Sequence, residues 1–185
     1  MNQPIFGNLQ TERLNLRPVQ YTDQSMVFQG LSDPELTRFL LIHFPTLEAT
    51  SLQMEHYRTQ TISGVAFYWV MEDRVEKTAM GVISLHNISV VHERAEIGFW
   101  ILPDYQRNGY VREAATALIR SAFVDQGFLR VEASVETGNL ASRALLLTLG
   151  FRPEGVLRSY EWNRGNRIDL EWFGMIKSDW QNGPA

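Results

Sequence analysis

The sequence contains no cysteine among its 185 residues. This absence excludes disulfide bonds, thiolate metal ligands and a cysteine nucleophile, and it is typical of a cytoplasmic protein. No apolar run approaches the roughly 18 residues that a transmembrane helix needs. Residues 1–4 also lack the basic and apolar segments with which a signal peptide begins. We therefore expect a cytoplasmic location.

The charge balance shows no excess of basic residues. Lys and Arg number 17 and Asp and Glu number 21, so the formal net charge is −4. This balance disfavours nucleic acid and anionic membranes as partners, and it weakly attracts a cationic substrate such as an amine. The four histidines show no metal-ligand spacing, so no metal site is predicted; they are His43, His56, His86 and His92. The P-loop and Gly-x-Ser-x-Gly motifs are absent as well.

Hydrophobic periodicity predicts a chain in which strands and helices alternate. Strands are expected at about 14–17, 65–71, 78–85, 94–102, 129–136, 152–162 and 167–176. Helices are expected at about 22–31, 47–62, 109–126 and 139–149, with a short helix starting at Asp33-Pro34. This order predicts a single α/β domain over residues 1–185, with its core at about 11–180 and a mixed sheet of about seven strands.

One stretch in the middle of the chain has the pattern of a strand, a polar turn and the start of a helix. Apolar residues alternate over 95–101, Pro103 ends the strand, and the helical period begins at Val111. Between them lies Gln106-Arg107-Asn108-Gly109. The unpaired N–H groups and the dipole of a helix N-terminus favour an anion at such a turn.

This turn resembles the acetyl-CoA-binding signature of the GNAT N-acetyltransferase superfamily, Gln/Arg-x-x-Gly-x-Gly/Ala. Here it is Gln106-Arg107-Asn108-Gly109-Tyr110-Val111. The resemblance implies acetyl-CoA as co-substrate, with its pyrophosphate on the backbone amides of this loop. Many members carry Gly at the position of Arg107, and Gly or Ala at that of Val111. Arg107 offers a charge-assisted phosphate contact, whereas Val111 crowds the backbone where the pyrophosphate approaches.

A second stretch, Asn139-Leu140-Ala141-Ser142 before a helix that ends at Gly150-Phe151, resembles the Asn-x-x-Ser signature of the same superfamily. The resemblance implies that Asn139 contacts the pantetheine arm. It also places Ser142 near the thioester, as the candidate donor of a proton to the leaving thiolate. From the residues alone, Asn139 is equally a helix N-cap and Ser142 a residue of the first turn.

Residues 11–17, Thr-Glu-Arg-Leu-Asn-Leu-Arg, resemble the opening of the RimJ/RimL group of ribosomal-protein N-terminal acetyltransferases. The RimL pattern implies Glu161 as general base, 19 residues after Ser142. Glu96 is the alternative, since several GNAT enzymes use a Glu on this strand, and burial should raise its pKa. The plainer interpretations are a solvent-facing Glu161 and a Glu96 that is a polar partner within the sheet.

The resemblance implies a mixed, mostly antiparallel sheet flanked by helices, with a splayed strand whose N–H groups around Phe99, Trp100 and Ile101 stabilise the oxyanion. The expected reaction is acetyl transfer from acetyl-CoA to an amine. An N-terminal α-amine is favoured, as in ribosomal-protein acetylation, because its pKa of about 7.7–8 demands less of a base than lysine at about 10.4. The alternatives are a polyamine, amino acid or aminoglycoside acceptor, or a non-catalytic acyl-CoA-binding protein. A monomer and a homodimer are both compatible with the sequence.

Overall fold

The computed structural model describes residues 6–181, in which one sheet of eight strands has the order β1-β2-β3-β4-β5-β6-β8-β7. The strands are β1 Leu9–Gln10, β2 Leu14–Pro18, β3 Phe67–Asp73, β4 Ala79–Ser89, β5 Arg94–Ile101, β6 Arg130–Glu136, β7 Arg152–Asn163 and β8 Asn166–Ile176. Only β5 and β6 pair in parallel, and the other neighbours in this described range are antiparallel. The expected mixed, mostly antiparallel sheet is confirmed. The expected seven strands become eight because the two-residue β1 is too short to show a periodicity.

Five α-helices accompany the sheet in residues 6–181. They are α1 Gln24–Leu31, α2 Ser51–Ser63, α3 Tyr110–Arg120, α4 Leu140–Leu149 and α5 Lys177–Gln181. Short 3₁₀ turns lie at Tyr21–Asp23, Leu36–Phe39 and Pro103–Tyr105. None of the helices in this part of the chain is long and apolar enough to cross a membrane.

Three helices differ from the sequence expectation. The short helix expected after Asp33-Pro34 is the 3₁₀ turn Leu36–Phe39. Helix α2 starts at Ser51 instead of about 47, because turns precede it and the Thr46 hydroxyl accepts the N–H of Ala49 at 3.1 Å. Helix α3 ends at Arg120 and continues as a π-helical turn, Ser121–Asp125, instead of running on as α-helix to about 126.

The sheet is covered on both faces. On one face α3 and α4 pack over a core that includes Ile83, Leu118 and Leu146, all fully buried. On the other face α1 and α2 pack through Val27 and Met54 against the sheet. Burying one such side chain stabilises the fold by about 1.5–3 kcal/mol, so the sheet is a firm platform for side chains at its ends.

The sheet opens between its two parallel strands. Strands β5 and β6 pair at only three positions, from Arg94 with Arg130 to Glu96 with Glu132. Beyond this point β5 continues to Ile101 and β6 to Glu136 without pairing to each other. We call the space between residues 97–101 and 133–136 the β5–β6 cleft. Because β5 leads to α3 and β6 leads to α4, both helices begin at the wide end of this cleft.

Candidate active site

The edge of β5 that faces the β5–β6 cleft carries backbone N–H groups. The N–H of Leu102 donates to Met80 on β4 at 2.8 Å, and the β4–β5 pairing is in regular register from Gly81 to His86. Since N–H groups alternate in direction along a strand, those of Phe99 and Ile101 point into the cleft, and that of Trp100 points towards β4. Phe99, Trp100 and Ile101 are all expected to bind the cofactor, and of these Phe99 and Ile101 present their N–H groups to the cleft.

The loop before α3 presents a helix N-terminus. The first α-helical hydrogen bond runs from the N–H of Glu113 to the carbonyl of Gly109 at 3.0 Å, so the amides before Glu113 in the helix point outward. Gly109 has a φ of 79°, and Arg107 has a φ of 61°, in the left-handed region. A side chain in that region costs about 1–2 kcal/mol, which is why glycine suits the Arg107 position. The exposed Arg107 guanidinium forms no hydrogen bond or ion pair within residues 6–181.

Residues near the start of the chain fix this loop. The Glu113 carboxylate accepts hydrogen bonds from the Thr11 hydroxyl at 2.5 Å and from the N–H and Nε of Arg13 at 2.8 and 2.7 Å. The Nη1 of Arg13 donates to the Asn108 carbonyl at 3.0 Å, and its guanidinium lies 4.5 Å from the centre of the Tyr110 ring. The Thr-x-Arg motif at the start of the chain therefore clamps the loop at the start of α3.

The start of α4 forms the other flank of the β5–β6 cleft. The Asn139 side chain accepts the N–H of Ser142 at 3.1 Å, which is the N-cap bond that the sequence predicts. Gly150, with a φ of 94°, ends this helix. The half-buried Ser142 thus lies in the first turn of α4, at the wide end of the cleft.

Glu96 lies where β5 and β6 part, and it is buried, with 5% of its surface exposed. Its carboxylate accepts hydrogen bonds from the Ser134 hydroxyl at 2.6 Å and the Asn87 amide at 2.8 Å. Burial favours a higher pKa, but these bonds and the neighbouring His86 outweigh it, so the pKa of Glu96 falls from 4.5 to about 2. The expectation that burial would raise the pKa of Glu96 is wrong, because hydrogen bonding to the charged form dominates.

Glu161 lies on β7 in a different environment. It is half-buried, whereas the neighbouring residues Tyr160 and Trp162 are exposed. Burial and the negative charge of Glu96 both raise the pKa of Glu161 above its usual value. Its carboxylate accepts no hydrogen bond from the described residues. The two carboxyl groups proposed from the sequence are thus close enough to influence each other, and their pKa values shift in opposite directions.

His86 is a site residue that sequence reasoning missed. It lies on β4 directly opposite Glu96, with its Nε2 at 3.7 Å from a Glu96 oxygen and its Nδ1 at 3.3 Å from the Ser84 hydroxyl. The imidazole covers Gly98, where a Cβ would come within 2.9 Å of the ring. Its spacing along the chain gave no signal, since only the strand register places His86 beside Glu96.

The turn between β7 and β8 contacts the segment after α1. The Asn163 amide donates to Glu136 on β6 at 2.8 Å and to the carbonyl of Arg38 at 3.2 Å. The Arg164 guanidinium donates to the buried Thr37 hydroxyl at 2.9 Å. These bonds join the end of β7, which carries Glu161, to the end of β6.

Sequence and structure comparisons agree with this arrangement. The family described as acetyltransferase (GNAT) domain matches residues 13–152. An uncharacterized N-acetyltransferase of Bacillus subtilis (strain 168), YoaA, is 33% identical over 174 residues, which cover 94% of this chain and 98% of that protein. The ribosomal protein uS5-alanine N-acetyltransferase of Escherichia coli (strain K12) is 32% identical over 121 residues, 65% of this chain and 62% of that protein.

A solved structure shows the same fold. Spermidine N-acetyltransferase from Vibrio cholerae, in complex with CoA and spermine, superposes with a TM-score of 0.80 over 91% of this chain and 98% of that chain, at 20% identity. The match to the family covers most of the chain and includes β5, the loop before α3 and the start of α4. The chain therefore belongs to the GNAT acetyltransferase family, whose members are N-acetyltransferases that use acetyl-CoA.

Proposed function

We propose that this N-acetyltransferase acetylates the α-amine at the N-terminus of a polypeptide, of the ribosomal-protein type, with Glu161 as general base. The observation that carries the proposal is the contrast between two carboxyl groups. Glu96 is ionised and its oxygens already accept hydrogen bonds, whereas the pKa of Glu161 is raised and its carboxylate has no bonded partner among the described residues. A raised pKa brings a carboxylate closer to the pH at which it accepts a proton efficiently.

The fit to acetyl-CoA rests on the two helix N-termini beside the β5–β6 cleft. In our proposal the outward amides of residues 110–112 and the Arg107 guanidinium hold the phosphates, and Asn139 contacts the pantetheine arm. Acetyl-CoA supplies a thioester, which is reactive towards amines. The N–H groups of Phe99 and Ile101 then face the developing negative charge on the carbonyl oxygen.

The proton transfers use Glu161 on β7 and Ser142 at the start of α4. Glu161 takes a proton from the acceptor ammonium group, directly or through one water, so that the amine nitrogen has a lone pair for attack. As the C–S bond breaks, Ser142 gives its hydroxyl proton to the departing sulfur, and the second proton that the nitrogen loses as the amide forms restores the hydroxyl through solvent. Glu96 remains ionised throughout, and its negative charge favours a cation nearby.

The charge of the site favours an acceptor with one ammonium group. On the face that carries Glu96, the Glu132 carboxylate pairs with Arg94 at 2.6 Å and Arg130 at 2.8 Å, and Glu136 accepts from Asn163. Of the four carboxylates Glu96, Glu132, Glu136 and Glu161, only Glu161 has no hydrogen-bond or ion-pair partner among the described residues. A polyamine carries several positive charges and would find few partners. A polypeptide N-terminus carries one positive charge and needs one such partner, and the pKa of its amine, about 7.7–8, suits a carboxylate base.

An acceptor panel tests the proposal. The purified protein is mixed with acetyl-CoA and a peptide that begins with alanine, the same peptide with a blocked N-terminus and an internal lysine, or spermidine. Release of CoA and the acetylated position are measured by absorbance and mass spectrometry. We expect acetylation of the free α-amine alone. Acetylation of spermidine in preference would contradict the acceptor, and saturable acetyl-CoA binding without transfer to any amine would support a non-catalytic protein.

A further inference from the structure

Strand β7 breaks its register immediately before Glu161. An earlier shift of one residue lies between Pro153 and Gly155, and from Gly155 to Leu157, which pairs with Leu170, each step along β7 matches one step along β8. The next pair is Glu161 with Ile168, so β7 advances four residues while β8 advances two. Two extra residues therefore lie in β7, and in an unbroken ladder Ser159 would occupy the position opposite Ile168. Bulges of this kind re-aim side chains next to active sites.

Two side chains of β8 form hydrogen bonds to the backbone of one residue in this bulge, Ser159. The N–H of Ser159 donates to the Oδ1 of Asp169 at 2.7 Å, and the carbonyl of Ser159 accepts from the Nη1 of Arg167 at 3.3 Å. Ser159 has a φ of 55°, in the left-handed region that an L-residue adopts only when its surroundings enforce it. Asp169 is also fixed by the main chain, because its carbonyl accepts the N–H of Thr137 at the end of β6.

We propose that Asp169 is a positioning residue, which sets Glu161 at the β5–β6 cleft by holding the Ser159 bulge. This inference rests on the proposed role of Glu161. Without the Asp169 bond, Ser159 can leave its strained conformation and the ladder can close by two residues. Closure would slide Glu161 along β7 by about 7 Å, which is two strand residues, and so take it away from Glu96.

The test compares substitutions that remove or keep the acceptor oxygen. Asp169→Ala removes it, and we expect turnover to fall at least tenfold, with the Kd for acetyl-CoA changed less than twofold. Asp169→Asn keeps an Oδ1 for the Ser159 N–H and should retain turnover within threefold. Ser159→Gly relieves the left-handed strain and, combined with Asp169→Ala, should restore most of the turnover.

A second variant covers the case in which Asp169→Ala does not fold. Ser159→Pro lacks the N–H and cannot adopt a positive φ, so it breaks the bulge while Asp169 stays in place. We expect the same loss of turnover. Full turnover in either folded variant would overturn the positioning role, as would equal losses in Asp169→Ala and Asp169→Asn.

The Glu161→Gln background separates this inference from the proposed base. If Asp169 acts through Glu161, then adding Asp169→Ala to Glu161→Gln causes little further loss, and both singles abolish the same acidic limb of the pH–rate profile. A further tenfold loss in the double variant would show that Asp169 acts by another route. If Glu161→Gln alone keeps full turnover, then the base assignment fails, whatever the Asp169 variants do.

Discussion

Replacing the buried Glu96 by glutamine should destabilise the protein by an amount that depends on pH. Burial raises the pKa of Glu96, but His86, Ser134 and Asn87 outweigh it, so the pKa falls from 4.5 to about 2 on folding. At about 1.4 kcal/mol per unit, the ionised carboxylate contributes about 3 kcal/mol to the free energy of unfolding at pH 7. Because the folded-state pKa is the lower one, this contribution is complete above pH 4.5 and is lost as the pH falls towards 2.

The assay is urea unfolding of wild type and Glu96→Gln at pH 7 and pH 3. Between these values the difference in unfolding free energy should shrink by about 2 kcal/mol, since the unfolded-state carboxyl group is mostly protonated at pH 3. Titrating groups that do not interact with Glu96 are common to both proteins and cancel in the difference. At pH 7 a loss of about 3 kcal/mol corresponds to a Tm lower by roughly 6–12 °C for a chain of this size. A difference that stays constant with pH would refute an ionised Glu96 with a depressed pKa.

Glu161 is an internal control, because its ionisation should change the free energy of unfolding in the opposite direction. Its pKa is raised by burial and by Glu96, so its ionisation opposes folding. Any stability that the protonated group contributes is present below the unfolded-state pKa and is lost as the pH rises through the folded-state pKa. Glu161→Gln should therefore be at least as stable as wild type at pH 7, whereas Glu96→Gln should be less stable.

Two further predictions concern the loop before α3. Glu113→Gln weakens the bonds to Thr11 and Arg13, so the KM for acetyl-CoA should rise about tenfold at nearly unchanged kcat, which corresponds to about 1.4 kcal/mol of binding. The control is Thr116→Ala, on the exposed side of α3. A lower Tm of Glu113→Gln at an unchanged KM would show that Glu113 has a purely structural role. Arg107→Gly removes both the guanidinium and the left-handed strain at a φ of 61°. The Kd for acetyl-CoA should then rise about tenfold while the Tm changes little, and an unchanged Kd in calorimetric titration would exclude Arg107 from the phosphate contacts.

The order of strands and helices could be predicted from the sequence, because periodicity is a local signal. The end of β5 shortly before Pro103, the N-cap at Asn139 and the helix end at Gly150 each depend on residues that are close together in the sequence. The two-residue β1 and the π-helical turn after α3 carry no such signal. Their geometry is set by packing against the rest of the fold.

The candidate site was only partly predictable, because its contacts join distant parts of the chain. Thr11 and Arg13 donate hydrogen bonds to Glu113, which lies about 100 residues away in the sequence. Neither the Thr-x-Arg motif nor the loop before α3 indicates by its sequence that the two are in contact. His86 lies opposite Glu96 only through the strand register. The pKa of Glu96 depends on partners from two neighbouring strands, β4 and β6, so burial alone predicted the wrong direction.

The measurement that tests the account most directly is the steady-state rate of peptide α-amine acetylation by wild type and Glu161→Gln, with the Kd for acetyl-CoA measured on both. Removing a general base typically costs about 10²–10⁴ in rate. We predict that Glu161→Gln loses at least a hundredfold in kcat, keeps its affinity for acetyl-CoA within twofold and is folded at pH 7. Wild-type kcat in this variant, with no change in the pH–rate profile, would contradict Glu161 as the base.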